Sequence, residues 1–118
     1  MSKATRLARA FSARVGLDGE AADHLALVVE EWVANVVEHG RAPHASLIGL
    51  RLRFEDGVVR LALSDGGRPF DPRAAAFDGP NHARGGGAGL ALVASLCRIT
   101  AYARRRGRNR VELELDVC

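Results

Sequence analysis

Lysine is all but missing from this sequence: Lys3 is the only one among 17 basic residues, so the formal charge of +3 rests on arginine. Cysteine is nearly as rare. Cys97 lies inside an apolar helical stretch and Cys118 is the last residue, a separation that suits neither a redox pair nor a metal cluster, and both read as free thiols. No apolar run is long enough to span a bilayer, and no secretion-signal pattern opens the chain. A cytoplasmic location without a membrane partner is therefore expected. Internal repeats, low-complexity tracts and linkers are missing as well. What remains is an ordinary globular balance of 47% hydrophobic and 26% charged residues over 118 positions. That is a single domain, residues 1–118, able to bury one core without metal or disulfide help.

Hydrophobic period sets the elements. Ser2 is placed to cap a helix through Leu7, Phe11 and Val15, with Gly16 to end it. Asp18 is placed to cap a second helix, in which Leu25, Val28, Val29, Trp32, Val33 and Val36 make one continuous buried face. Gly40 ends that helix. From Ile48 the period changes to two: Ile48, Leu50, Leu52 and Phe54 alternate with Gly49, Arg51 and Arg53 as a strand. Asp56-Gly57 then turns a hairpin into Val59, Leu61 and Leu63, up to Asp65. A loop over about residues 66–88, rich in Gly, Pro, Asp and Arg, reads as a lid. A third helix runs from Gly89 to about Cys97. Ile99–Ala103 and Val111–Val117 make a second hairpin, with Val111, Leu113, Leu115 and Val117 towards a core and Glu112, Glu114 and Asp116 towards water.

These elements predict an α/β (α+β) fold, a two-layer sandwich. A mixed, mostly antiparallel sheet of about four strands is covered on one face by three helices. Arg104, Arg105, Arg106, Arg108 and Arg110 crowd the second hairpin. A nucleic-acid-binding domain led by that hairpin is one reading, and it requires steep salt dependence and indifference to ATP. A solvated hairpin tip is the favoured one, because no aromatic residues interleave there to stack on bases.

On the second helix, Glu31, Asn35 and His39 fall on one stripe, about 40° apart in succession. Glu30 lies about 140° round the helix from Asn35 and does not join them. A polar stripe is also what the wet side of any amphipathic helix shows. Asp65 ends a strand and enters Gly66-Gly67, where a buried carboxylate suits an exocyclic amine such as that of adenine; an ordinary turn has the same composition. Gly85, Gly86, Gly87 and Gly89 lead into a helix, and unobstructed N–H groups at a helix start suit phosphate oxygens, although a hinge would also use them. Each glycine cluster is weak evidence alone. Their order and spacing after Glu31 and Asn35 are specific.

The three segments, EEWVANVVEHG, SDGGRPFDP and GGGAGLALV, resemble the N, G1 and G2 boxes of the histidine-kinase-like ATPases, the superfamily of sensor histidine kinases, gyrase, the MutL repair proteins and the heat-shock chaperone ATPases. Nearly the whole chain is similar to that Bergerat ATP-binding fold. Glu31, Asn35, His39, Gly40, Pro69, Phe70, Asp71 and Pro72 match the anti-sigma-factor serine kinases of the RsbW and SpoIIAB type. Three features depart from the broad pattern. Pro69 replaces the second glycine of D-x-G-x-G, which suits the switch-kinase branch. Arg108-Asn109-Arg110 stands where relatives often carry a threonine near the adenine. The sequence also begins at a helix, where relatives usually begin with a strand.

The resemblance implies ATP and Mg²⁺ as cofactors. It makes Glu31 the general base for an acceptor serine hydroxyl or water and Asn35 the Mg²⁺ ligand. It places Asp65 on the adenine amino group with Gly67 beside it, counts His39 and Phe70 among the nucleotide-binding residues, and wraps the phosphates with Gly86, Gly87, Ala88 and Gly89. A chain of 118 residues has no room for a sensor kinase's dimerisation segment or the second domain of gyrase. The implied activity is that of a stand-alone serine/threonine kinase. It passes the ATP γ-phosphate to a serine of a small antagonist protein and restrains a sigma factor by exchange of partners, with a homodimer implied by the family. A module that binds nucleotide and transfers nothing is the alternative, against which Glu31 speaks.

Overall fold

A computed structural model describes residues 2–38, 48–73 and 87–117. Helix α1 spans Lys3–Val15 and is capped as its ends predict: Ser2 Oγ accepts from Thr5 N at 3.0 Å, and Gly16 takes the left-handed conformation with φ 78°. Helix α2 spans Gly19–Glu38, and Asp18 Oδ1 accepts from Ala21 N at 2.8 Å at its start. The six expected apolar residues of α2, from Leu25 to Val36, are all buried. The end expected at Gly40 lies outside the described residues.

Two hairpins build the sheet. Strands β1 (Gly49–Glu55) and β2 (Val58–Asp65) are joined by Asp56-Gly57, and β3 (Arg98–Arg105) and β4 (Arg108–Asp116) by Arg106-Gly107. Both turns hold positive φ at both central residues, 53° then 76°, whose backbone twist matches that of the flanking strands. The order is β1-β2-β4-β3, and all three pairings are antiparallel, so the described sheet has no parallel member. Helix α3 spans Gly87–Leu96, beginning two residues before the expected start.

The core lies between helices and sheet. Val59, Leu61 and Leu63 of β2 and Val111, Leu113 and Leu115 of β4 meet the apolar face of α2, with Leu90 and Val93 of α3 closing one side. Central strands alternate cleanly because helices cover only one face. At the edge the pattern weakens: Leu50 and Leu52 are half-buried and Phe54 is 36% exposed. Leu7 is likewise exposed, beside an open groove lined by Val33, Ile48 and Leu50. Among the described residues no helix is long and apolar enough to cross a membrane.

Two features of this topology shape one end of the sheet. In the register of β2 and β4, Asp65 stands opposite Asn109 at that end. Helix α3 runs into β3 at Arg98, which pairs with Glu114 towards the opposite end of β4 from Asn109. The second feature is a bulge. Ile99 pairs with Leu113 but Ala101 pairs with Glu112, which leaves Thr100 extra. One extra residue reverses the alternation, so Tyr102 and Arg104 share the inner face with Val111 and Asn109.

Candidate nucleotide-binding site

Adjacent glutamates on α2 face different neighbours. Glu30 accepts a short hydrogen bond from the Thr5 hydroxyl and ties α2 to α1. Glu31 turns to α3: a Cβ built on Gly89 would stand 2.6 Å from Glu31 Oε2. With glycine there, the carboxylate occupies the space a side chain would fill. The first turn of α3 carries no acidic residue of its own, so the positive end of its dipole faces Glu31 unneutralised by the helix.

One turn along α2 from Glu31, Asn35 is 7% exposed. Its Nδ2 is fully buried and has no hydrogen-bond partner among the described residues. Leaving a buried polar group unpaired costs about 1–3 kcal/mol, which a ligand at this position would recover. Rotating the amide by a half-turn brings its oxygen to the same place, so the side chain serves a phosphate as donor or a hard cation as oxygen ligand. The donor set therefore fits a magnesium nucleotide.

At the end of β2, Asp65 is 3% exposed. Its Oδ1 accepts from Gly67 N at 3.0 Å and from Asn109 Nδ2 at 3.1 Å. The loop after it is fastened to the second hairpin: Asn109 Nδ2 donates to Arg68 O at 2.8 Å, and Arg104 Nη1 to Gly67 O at 2.6 Å. Phe70 N donates to both Asn109 Oδ1 (3.2 Å) and the Tyr102 hydroxyl (3.3 Å), while the Phe70 ring packs against the core. Gly66–Arg73 is thus anchored along the sheet end, and the remainder of the expected lid up to Gly86 lies outside the described residues.

Of the residues singled out in the sequence, Glu31 and Gly89 adjoin, Asn35 lies one turn from Glu31, and Asp65, Gly67 and the Phe70 backbone share one network. Gly87 and Ala88 open α3. His39 and Gly86 lie outside the described residues. Sequence reasoning missed Asn109, Tyr102 and Arg104. A signal for Asn109 was present, since the inward run Val111, Leu113, Leu115 extends by parity to position 109; the bulge hid the other two.

An α+β sandwich of this order, with Glu31 of α2 set against the glycine-rich start of α3 and an acid closing β2, is the architecture of a histidine-kinase-like nucleotide-binding domain. The pattern described as Histidine kinase-like ATPase domain matches residues 1–115, and the chain belongs to that family. It is also 34% identical, over 95 residues, to the serine/threonine-protein kinase BtrW of Bordetella bronchiseptica (strain ATCC BAA-588 / NCTC 13252 / RB50). That match covers 75% of this chain and 66% of BtrW, a little under two thirds of the relative's length.

Proposed function

We propose that this protein is an ATP-dependent serine/threonine protein kinase that phosphorylates a serine of a small antagonist protein and, through partner exchange, restrains a sigma factor. The observation that carries the reading is the Glu31 carboxylate held against Gly89 at the start of α3, one turn from the buried Asn35, whose Nδ2 has no partner among the described residues. Likeness to a serine/threonine-protein kinase supports the choice of acceptor.

In this reading Asp65 accepts a hydrogen bond from the adenine amine, and the N–H groups that open α3 take the phosphate oxygens. Asn35 holds Mg²⁺, which supplies neutralisation of phosphate charge when bound. Glu31 takes the proton of the acceptor hydroxyl as that oxygen attacks the γ-phosphorus; the bond to the β–γ bridging oxygen breaks, and ADP leaves. Phosphoryl transfer depends mostly on positioning and charge stabilisation, so one base, one metal ligand and a backbone cradle suffice.

The test uses γ-labelled ATP with candidate antagonist proteins of the same genome, each beside a version with its acceptor serine changed to alanine. Label on the serine-bearing form only, lost at least about a hundredfold with Glu31→Gln, is expected for a general base in this chemistry. ATP binding without transfer to any candidate would leave a nucleotide-dependent interaction module instead.

A further inference from the structure

The face of the sheet turned away from the helices is divided by charge. At one end Arg53 pairs with Glu55, Arg60 with Glu114, and Arg98 with Glu114 and Asp116. At the other end the arginines go unmatched. There Ser64 of β2 stands between Gly49 of β1 and Arg110 of β4, and in the next row Ala62 stands between Arg51 and Glu112, the one acid at this end. Arg105 and Arg108 face each other at the tip of the second hairpin. Arg51, Arg105 and Arg110 are exposed, and the side chain of none of them pairs with a described residue.

Small residues lower the floor between these arginines. Gly49, Ala62 and Ser64 leave a depression of about 200 Å³, bordered by Arg51 on one side and Arg110 on the other, with no carboxylate in its lining. Pockets for drug-sized ligands begin at about 300 Å³, so this one suits a single charged group. Ser64 is prepared as a donor to it. A Cβ built on Gly49 would stand 2.5 Å from Ser64 Oγ, so the hydroxyl lies over the glycine, and Arg108 Nη2 donates to the same oxygen at 3.1 Å. That bond occupies a lone pair and leaves the hydroxyl proton, which no described residue accepts.

We infer that this depression is an anion site for a phosphate or phosphomonoester dianion, held by Arg51 and Arg110, with the Ser64 hydroxyl donating between them and Arg108 fixing that hydroxyl. Its donors come from three neighbouring strands and do not share one plane, which suits a tetrahedral group with three oxygens better than a flat carboxylate, and arginine forks match phosphate oxygens. A single-stranded nucleic acid is a poorer fit, because no aromatic side chain shares this end of the face to stack on a base. The site lies on the opposite face of the sheet from the candidate nucleotide site and does not depend on it.

The test follows backbone amide NMR signals of the full chain at constant ionic strength. The probes are inorganic phosphate, a phosphoserine peptide and the same peptide with aspartate in place of phosphoserine. Saturable shifts at Gly49, Ala62, Ser64 and Arg110 are expected with the two phosphorylated probes, weakened about fivefold or more in each of Arg51→Ala and Arg110→Ala. Both substitutions are at exposed positions on different strands, and a thermal melt of each checks the fold. A phosphopeptide bound at least about tenfold tighter than phosphate makes a phosphorylated protein the source of the group, and equal affinity makes it the free ion; either supports the site. Equal binding of the aspartate peptide overturns it, since the patch would then be a general acidic-peptide surface. Affinity unchanged in both folded variants, shifts confined to Gly87 and Ala88 on the helix-covered face, or saturable binding of a single-stranded oligonucleotide alone would each overturn it too.

Discussion

Asn35 sits in a helix interior with a buried amide nitrogen that no described residue satisfies, a poor arrangement for stability and a good one for binding. Asn35→Ala removes the unpaired group and improves helix propensity, so its melting temperature is expected to equal or exceed wild type while ATP binding is lost. A variant that melts lower and still binds ATP would show the amide to be structural. Cys97 offers a second residue-scale check. Burial pushes its thiol up from 9.0 to about 12 against the opposing field of Arg98, so Cys97 of the native protein resists thiol reagents at pH 8 and reacts fully only when unfolded, as followed in a Cys118→Ser background. In the unfolded chain the thiol ionises near its ordinary value, so above pH 9 the unfolded state holds fewer protons and stability falls as pH rises from about 9 towards 12. Urea titrations across that range, with Cys97→Ala for comparison, measure the loss. At this scale much was legible, because Glu31 and Asn35 stand one turn apart on α2 and Asp65 continues the inward parity of Val59, Leu61 and Leu63. Asn109 was not, since its value lies in partners that only strand register brings near.

Between elements, the contact that joins α2 to α3 is the Glu31 carboxylate on Gly89. Gly89→Ala sets a methyl group 2.6 Å from Oε2, the far end of a flexible side chain, so the helix survives and the glutamate moves. Alanine favours a helix interior by about 1 kcal/mol over glycine, which offsets the crowding. Unchanged or slightly raised thermal stability with phosphotransfer reduced at least about tenfold is expected, and full activity would mean that Glu31 acts from elsewhere. The helices, both hairpins and the layer arrangement derive from period and turn residues: Asp56-Gly57 marks its own turn, and the α2 stripe marks its own face. Two things at this scale do not derive from period. Edge strand β1 leaves Phe54 exposed at the rim of the sheet, and the Thr100 bulge reverses β3 without any local composition to announce it. The arginine-rich tip consequently reads as wholly solvated, yet Arg104 turns in to brace Gly67 and Asn109.

For the molecule as a whole, much of the arginine excess is occupied. Arg98 pairs with Glu114 and Asp116, and Arg60 with Glu114, across the open face of the sheet, while Arg73 pairs with Asp71. Those pairs are exposed, so they order the surface more than they stabilise it. A ligand that binds only the folded state adds stability by mass action, about 2.7 kcal/mol at a hundred times its dissociation constant. Saturating ATP with Mg²⁺ is therefore expected to raise the melting temperature of wild type and leave that of Asn35→Ala unmoved. The most direct measurement is calorimetric titration of ATP into the purified protein, with and without Mg²⁺, beside Asn35→Ala. Micromolar, Mg²⁺-dependent binding in wild type that the variant lacks is the expected result, and the absence of binding by well-folded wild type would contradict a nucleotide site built from α2, β2 and α3.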